Sequence, residues 1–118
     1  MRHLLAIGCL LLVLAAAGCS GSSGPALRTE SSSSAIRAAE EVGAGGLPRA
    51  SLHLQLAKEE LARAESLSDK GEKEEAASYL MRAEADAELA ILLSQQNAEK
   101  VEAEKAMERV RKLQNENR

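Results

Sequence analysis

The chain has 118 residues, with 15 basic and 18 acidic side chains, a formal net charge of −3, one tyrosine and neither tryptophan nor phenylalanine. Charge of both signs, interspersed and without a clustered basic face, excludes the usual footprint of a nucleic-acid binder, and a lone aromatic offers no platform for stacking bases or sugars. Cys9 and Cys19 are the only cysteines, so the bulk of the chain has no internal disulfide and must hold itself together by packing.

The first element is an apolar run from Leu4 to Ala17, preceded by Met1, Arg2 and His3. A spanning helix needs about 20 apolar residues, and this run is shorter. A brief basic start, an apolar stretch, small residues and then polar ones follow the order of a secretory signal peptide. Leu14, Ala15, Ala16, Ala17, Gly18 and Cys19 resemble the lipobox of bacterial lipoproteins. That resemblance implies cleavage between Gly18 and Cys19, with Cys19 lipidated and becoming the first mature residue. It departs from the family pattern at Ala16, where leucine is preferred. Ser20 follows the cysteine, and by resemblance to enterobacterial sorting a residue other than aspartate implies the outer membrane, facing the periplasm. Cys9 has a similar local setting, but too few apolar residues precede it to form a signal core.

Removal of residues 1–18 leaves 100 residues. They begin with serine and glycine, a composition too poor in apolar side chains to offset the entropy of ordering. Residues 19–33 are therefore expected to form the lipidated cysteine and a flexible tether. Residues 34–115 are expected to be a helical hairpin domain, and residues 116–118 a tail.

Ser33 or Ser34 is the expected cap of a first short helix, with Ile36, Ala39 and Val42 on one face and Gly43, Gly45 and Gly46 ending it. Pro48 suits the first turn of a second helix, in which Leu54, Ala57, Leu61, Ala64 and Leu67 recur at intervals of three and four. Glu59 and Arg63 are spaced for a weak pair on its surface. Gly71 closes that helix, and the narrow break predicts an antiparallel return.

The third helix opens acidic, as its dipole favours, and carries Ala76, Leu80, Ala83, Ala87 and Ala90 at the same spacing. Facing stripes of alanine allow helix axes to approach to about 8 Å. Leu89, Leu92, Leu93 and Met81 widen the apolar surface, ready for the first helix or a second copy of the chain. If helix three runs from Glu72 to about Asn115 it is far longer than its neighbour, so it must overhang or bend, and Ser94–Asn97 is where a bend is expected. Val101, Met107, Val110 and Leu113 give the overhang an apolar edge, barely two heptads where a coiled coil needs three or four. The fold class is thus all-α: an antiparallel hairpin with a short N-terminal and a long C-terminal helix.

The residues from Ile36, Ala39, Gly43 and Pro48 through Ala57, Leu61, Ala64, Gly71, Ala76, Leu80 and Ala83 to the segment 85–90 resemble an uncharacterised family of alanine-rich helical domains. The likeness covers about residues 34 to 105. It implies a bacterial envelope lipoprotein, and longer relatives join this domain to an OmpA-like peptidoglycan-binding one. No such sequence follows here, so peptidoglycan binding is not expected. Residues 71–83 also resemble the second helix of a tetratricopeptide repeat, but no copy recurs at that repeat's period.

Catalytic chemistry has little to build on. His53, between two leucines, reads as half-buried packing rather than a base. Metal binding lacks further nitrogen or sulfur ligands. Glu84 and Glu88, with Asp86 nearby, read as a solvated acidic face. No phosphate loop is present, and no cofactor or small-molecule substrate is expected. Two readings remain. One is a non-catalytic, lipid-anchored spacer or interaction module, held to the membrane by Cys19 and facing an unknown envelope protein. The other is a self-associating structural lipoprotein resembling murein lipoprotein, but without the terminal lysine that family uses for wall attachment, since this chain ends Asn115, Glu116, Asn117, Arg118.

Overall fold

A computed structural model describes residues 25–118. The expectations for the leader, Gly18 and Cys19 lie outside the described residues. The described chain is all-α, with three helices: α1 (Pro25–Glu41), α2 (Pro48–Asp69) and α3 (Lys73–Glu116), and a 3-10 turn at Ala44–Gly46 between the first two. Helices α2 and α3 form the hairpin. Helix α1 lies against both, chiefly against α3. Among the described residues, no helix is long and apolar enough to cross a membrane.

The turn between α2 and α3 is set by one glycine. Gly71 has φ 82°, the left-handed conformation that side chains disfavour. In that conformation the Gly71 N–H donates to Ser68 O at 2.9 Å and the Glu72 N–H to Leu67 O at 3.0 Å. Two otherwise orphaned carbonyls are satisfied in the pattern of a Schellman motif, and the chain reverses within three residues. Gly43, also left-handed at φ 76°, ends α1, its N–H donating to Glu40 O at 3.0 Å. Pro48 occupies the first turn of α2, where its missing N–H leaves no gap.

The core is a sheet of small side chains. Helix α3 buries Ala76, Leu80, Ala83, Ala87, Ala90 and Ser94, while α2 buries Ala50, Leu54, Ala57, Ala64 and Leu67. Leu61 is only half-buried, at the edge of the seam. Helix α1 contributes Ser32, Ile36 and Ala39. Leu80, 2% exposed, is worth about 1.5–3 kcal/mol by its burial; each alanine contributes less but lets the backbones close up.

Four expectations are corrected. Helix α1 starts at Pro25, so residues 25–33 are helix and not tether. Serines assigned to that tether make contacts with α3: Ser32 is buried and its Oγ donates to Leu80 O at 2.9 Å, and Ser31 Oγ donates to Glu84 Oε1 at 2.6 Å. Short hydroxyl side chains serve where helix backbones are close, and their hydrogen bonds go to the neighbouring helix. Val42 lies beyond the end of α1 and is exposed. Residues 94–97 do not interrupt α3, which runs through them as one helix of 44 residues. No glycine or proline stands there to break it, and Ser94 Oγ donates to Ala90 O at 2.9 Å along the same helix. Helix α3 therefore overhangs α2, and every residue from Gln95 on is exposed except the half-buried Ala106. Nor does α1 settle on Met81, Leu89 and Leu92, which stay exposed.

Ala83 is 0% exposed in the middle of this seam. Ala83→Glu forces a charge and extra volume into a close helix contact, and is expected to cost about 3 kcal/mol or more. Thermal unfolding followed by circular dichroism checks this, and an unchanged midpoint would show that the seam is not the core.

Candidate functional site

Beside the apolar seam, a polar seam joins the hairpin helices. His53 Nδ1 and Asp86 Oδ1 are 2.7 Å apart, with both side chains about one quarter exposed. The carboxylate can only accept, so Nδ1 carries the proton and donates. Arg82 Nε lies 3.7 Å from Glu60 Oε1. The Arg82 and Arg63 guanidinium carbons stand 5.2 and 5.8 Å from the centre of the Tyr79 ring, within cation–π range. Histidine from α2, carboxylates from α2 and α3, and arginines from both thus interleave across one flank. On the other flank, Glu84 takes its bond from Ser31 of α1, and Lys58 pairs with Glu40 between α2 and α1.

Glu60 is the group under electrostatic pressure. One of its oxygens, Oε2, is buried with no hydrogen-bond partner. Burial raises its pKa above the usual carboxylate value, and the charge of Asp86 and a hydrogen bond with Asp86 raise it further, while Arg82 opposes the shift. Protonated, Glu60 can donate to Asp86 and tie the two helices; ionised, it sets a second negative charge beside the first.

These contacts redistribute the acidic residues singled out in the sequence. Glu84 is turned to α1, Asp86 to α2, and Glu88 is exposed. Among the described residues, no group of three or more potential ligands is placed to hold a metal ion. His53 is half-buried and bonded across the hairpin. Glu59 accepts from Gln55 Nε2 at 3.0 Å on its own helix. The His53–Asp86 and Glu60–Asp86 pairings are invisible to motif reading, because the partners lie 33 and 26 positions apart and meet only through the register that Gly71 sets. Of the residues expected to pack the hairpin, Leu54, Ala57, Ala64, Ala76, Leu80, Ala83 and Ala87 are buried between helices, with Leu61 at the margin.

The remaining open features are surfaces. A shallow groove lined by Leu47, Pro48, Arg49, Leu93, Gln96 and Lys100 lies where α3 leaves the hairpin. Beyond it the overhang exposes Met107, Val110 and Leu113 at 66%, 54% and 58%.

The family model described as "Domain of unknown function (DUF4398)" matches residues 28–106, more than half of the chain, and the protein belongs to that family. The matched span takes in most of α1, all of the hairpin turn and the first part of the overhang. No curated protein matches the chain, and no solved structure does.

The polar seam yields a pH prediction. A carboxyl group whose folded pKa is raised adds stability fully present below its unfolded value, near pH 4.3, which is lost as pH rises through the folded pKa. Glu60 is therefore a neutral-pH liability. Glu60→Gln keeps a donor for Asp86 and removes the charge, so the hairpin should melt a few degrees higher at pH 7, with the gain shrinking towards pH 4. A lower melting point at pH 7 would mean that the Arg82 contact outweighs the repulsion.

Proposed function

We propose that this member of the DUF4398 family is a non-catalytic, lipid-anchored protein of the bacterial envelope, in which a helical hairpin presents a long helix as an interaction or spacer arm. The observation that carries this reading is α3 itself: 44 residues of unbroken helix, of which only the first half is spent on the hairpin. An overhang of 22 residues, Gln95 to Glu116, reaches about 33 Å at the usual rise. A helix of that length with exposed apolar residues suits contact with another molecule better than enclosure of a small substrate.

The anchor rests on the lipobox likeness of Leu14 to Cys19. A single acyl chain binds a membrane only marginally, so firm retention requires more than one, as lipoprotein processing supplies. Among the described side chains, the first of α1 to be buried is Ser32, 13 positions after Cys19. With α1 starting at Pro25, Ser20 to Gly24 are all that separate the acylated residue from the helix, so the hairpin sits close to the bilayer surface. In the envelope location proposed here, the outer membrane facing the periplasm, the hairpin would meet a partner protein there.

Detergent phase partitioning tests the anchor. The wild-type protein expressed in a bacterial host should enter the detergent phase and Cys19→Ala should remain in the aqueous phase. Equal partitioning of the two would reject lipidation at Cys19.

A further inference from the structure

The buried series on α3 runs Ala76, Leu80, Ala83, Ala87, Ala90, Ser94. Shifted by nine residues it becomes Ala85, Leu89, Leu92, Gln96, Glu99, Ala103, and the same three-four spacing continues to Ala106, Val110 and Leu113. Nine residues are two and a half turns of an α-helix. The six shifted residues therefore lie diametrically opposite the first series, on the side of α3 that neither α1 nor α2 touches, and the last three drift from that line by about 20° per heptad, which a left-handed supercoil takes up. Seven of its nine members are apolar, and all are exposed except Ala106, which is half-covered. Leu92 is 60% exposed. This is an a/d seam of four heptads, enough for a coiled coil, with a polar step at Gln96 and Glu99 in its middle.

We infer that this face is the contact surface for a second copy of the chain, with the two α3 helices antiparallel and crossing near residues 97 and 98. The arrangement follows from size and charge. In that register each seam residue meets the partner residue whose number brings the pair to a constant total. Leu92 faces the partner's Ala103, Leu89 the partner's Ala106, and Ala85 the partner's Val110. From Ala85 to Val110 every large side chain meets a small one, and at each end of the seam Leu113 lies beside the partner's Arg82. The two polar members meet each other, Gln96 donating to the partner's Glu99. At the flanking positions Glu88 comes beside the partner's Arg109, twice by symmetry, and no like charges are opposed. A parallel pair sets Glu99 against its own copy in the core, which is costly. The symmetric antiparallel pair is isologous and closes on itself.

The size is sufficient. From Arg82 to Leu113 the seam is about 48 Å long, and a contact strip about 10 Å wide on each helix gives roughly 1,000 Å² in total, the lower bound for a specific interface. The dimer is accordingly a modest one. It names the partner for the interaction module proposed above and rests on that reading, but not on the anchor: a failure of lipidation leaves the association intact, and the reverse.

Sedimentation equilibrium of the full chain in density-matched detergent tests the pairing. Wild type should show a monomer–dimer equilibrium. Leu92→Glu should abolish the dimer. Glu88→Arg and Arg109→Glu should each weaken it roughly tenfold, since two exposed pairs change from attraction to repulsion. The double variant Glu88→Arg with Arg109→Glu should restore wild-type affinity. Residues 88 and 109 are about 31 Å apart along one helix, so rescue can arise only between chains. Unchanged circular dichroism in each variant shows that the hairpin is intact. A monomer at all concentrations, a dimer indifferent to Leu92→Glu, or singles that the double variant fails to rescue would each overturn the proposal.

Discussion

The structure depends on how closely helix backbones approach along the inner face of α3. Ala76, Ala83, Ala87 and Ala90 are all fully buried, and one leucine, Leu80, stands among them. With so little side chain between the axes, polar backbone atoms of α3 come within reach of a neighbour's short side chains. The bond from Ser32 Oγ to Leu80 O at 2.9 Å measures that proximity directly, for a serine hydroxyl reaches only a carbonyl whose helix is almost touching. Helices α1 and α2 share the same strip of α3, and the 3-10 turn with buried Ala44 lets α1 pass to α2 without pushing them apart.

A thin core has consequences for the charges around it. Where large apolar side chains would fill the flanks of a thicker seam, His53, Glu60, Arg82 and Asp86 do so here. His53, Glu60 and Asp86 are drawn inward far enough to lose solvent, Arg82 reaches Glu60 from an exposed position, and the four are held by one another. Such a flank fixes the pairing of the helices at some cost in stability, because a half-buried carboxylate pair repels unless a proton or a cation intervenes. Arg82, stacked on Tyr79, supplies part of that compensation, and His53 supplies another part on the far side of Asp86. The alanine seam and the strained carboxylates are two results of the same close spacing.

This explains which parts of the architecture were legible in the letters. The inner stripes of α2 and α3 were, because a three-four apolar spacing depends on one helix alone, and so were the ends at Gly43 and Gly71, which depend on one residue each. The start of α1 was not. Its serines gain their partners from α3, about 50 positions away, and composition cannot anticipate a bond of that kind. The expected bend at residues 94–97 failed for a related reason: a polar run in a helix signals a change of surroundings, here the end of the hairpin's shelter after Ser94, without any break in the backbone. The outer seam was hidden because Gln96 and Glu99 divide it and because Val101, a conspicuous apolar residue close to them, belongs to another face. Once the inner face is known, the half-turn offset reveals it.

The reach of α3 beyond α2 is fixed by the hairpin turn. With Gly71 as pivot and α2 only 22 residues long, the shelter given by Pro48 ends near Leu93 and Ser94, and everything after stands alone. Most of a helix's stability in a protein comes from packing an apolar face rather than from propensity, and within the chain this segment is exposed almost throughout. Its charges help little: the one ion pair within the described overhang is Lys105 to Glu102, an exposed contact at 2.9 Å of the kind that contributes at most a few tenths of a kcal/mol. What sustains such a segment is an apolar partner along its length. The proposed antiparallel pairing would provide one of matching extent, because a crossing point near residue 97 lies where the hairpin's own support runs out. In that proposed pair the overhang of each chain would rest on the outer face of the other's sheltered half, and α3 would be flanked from end to end.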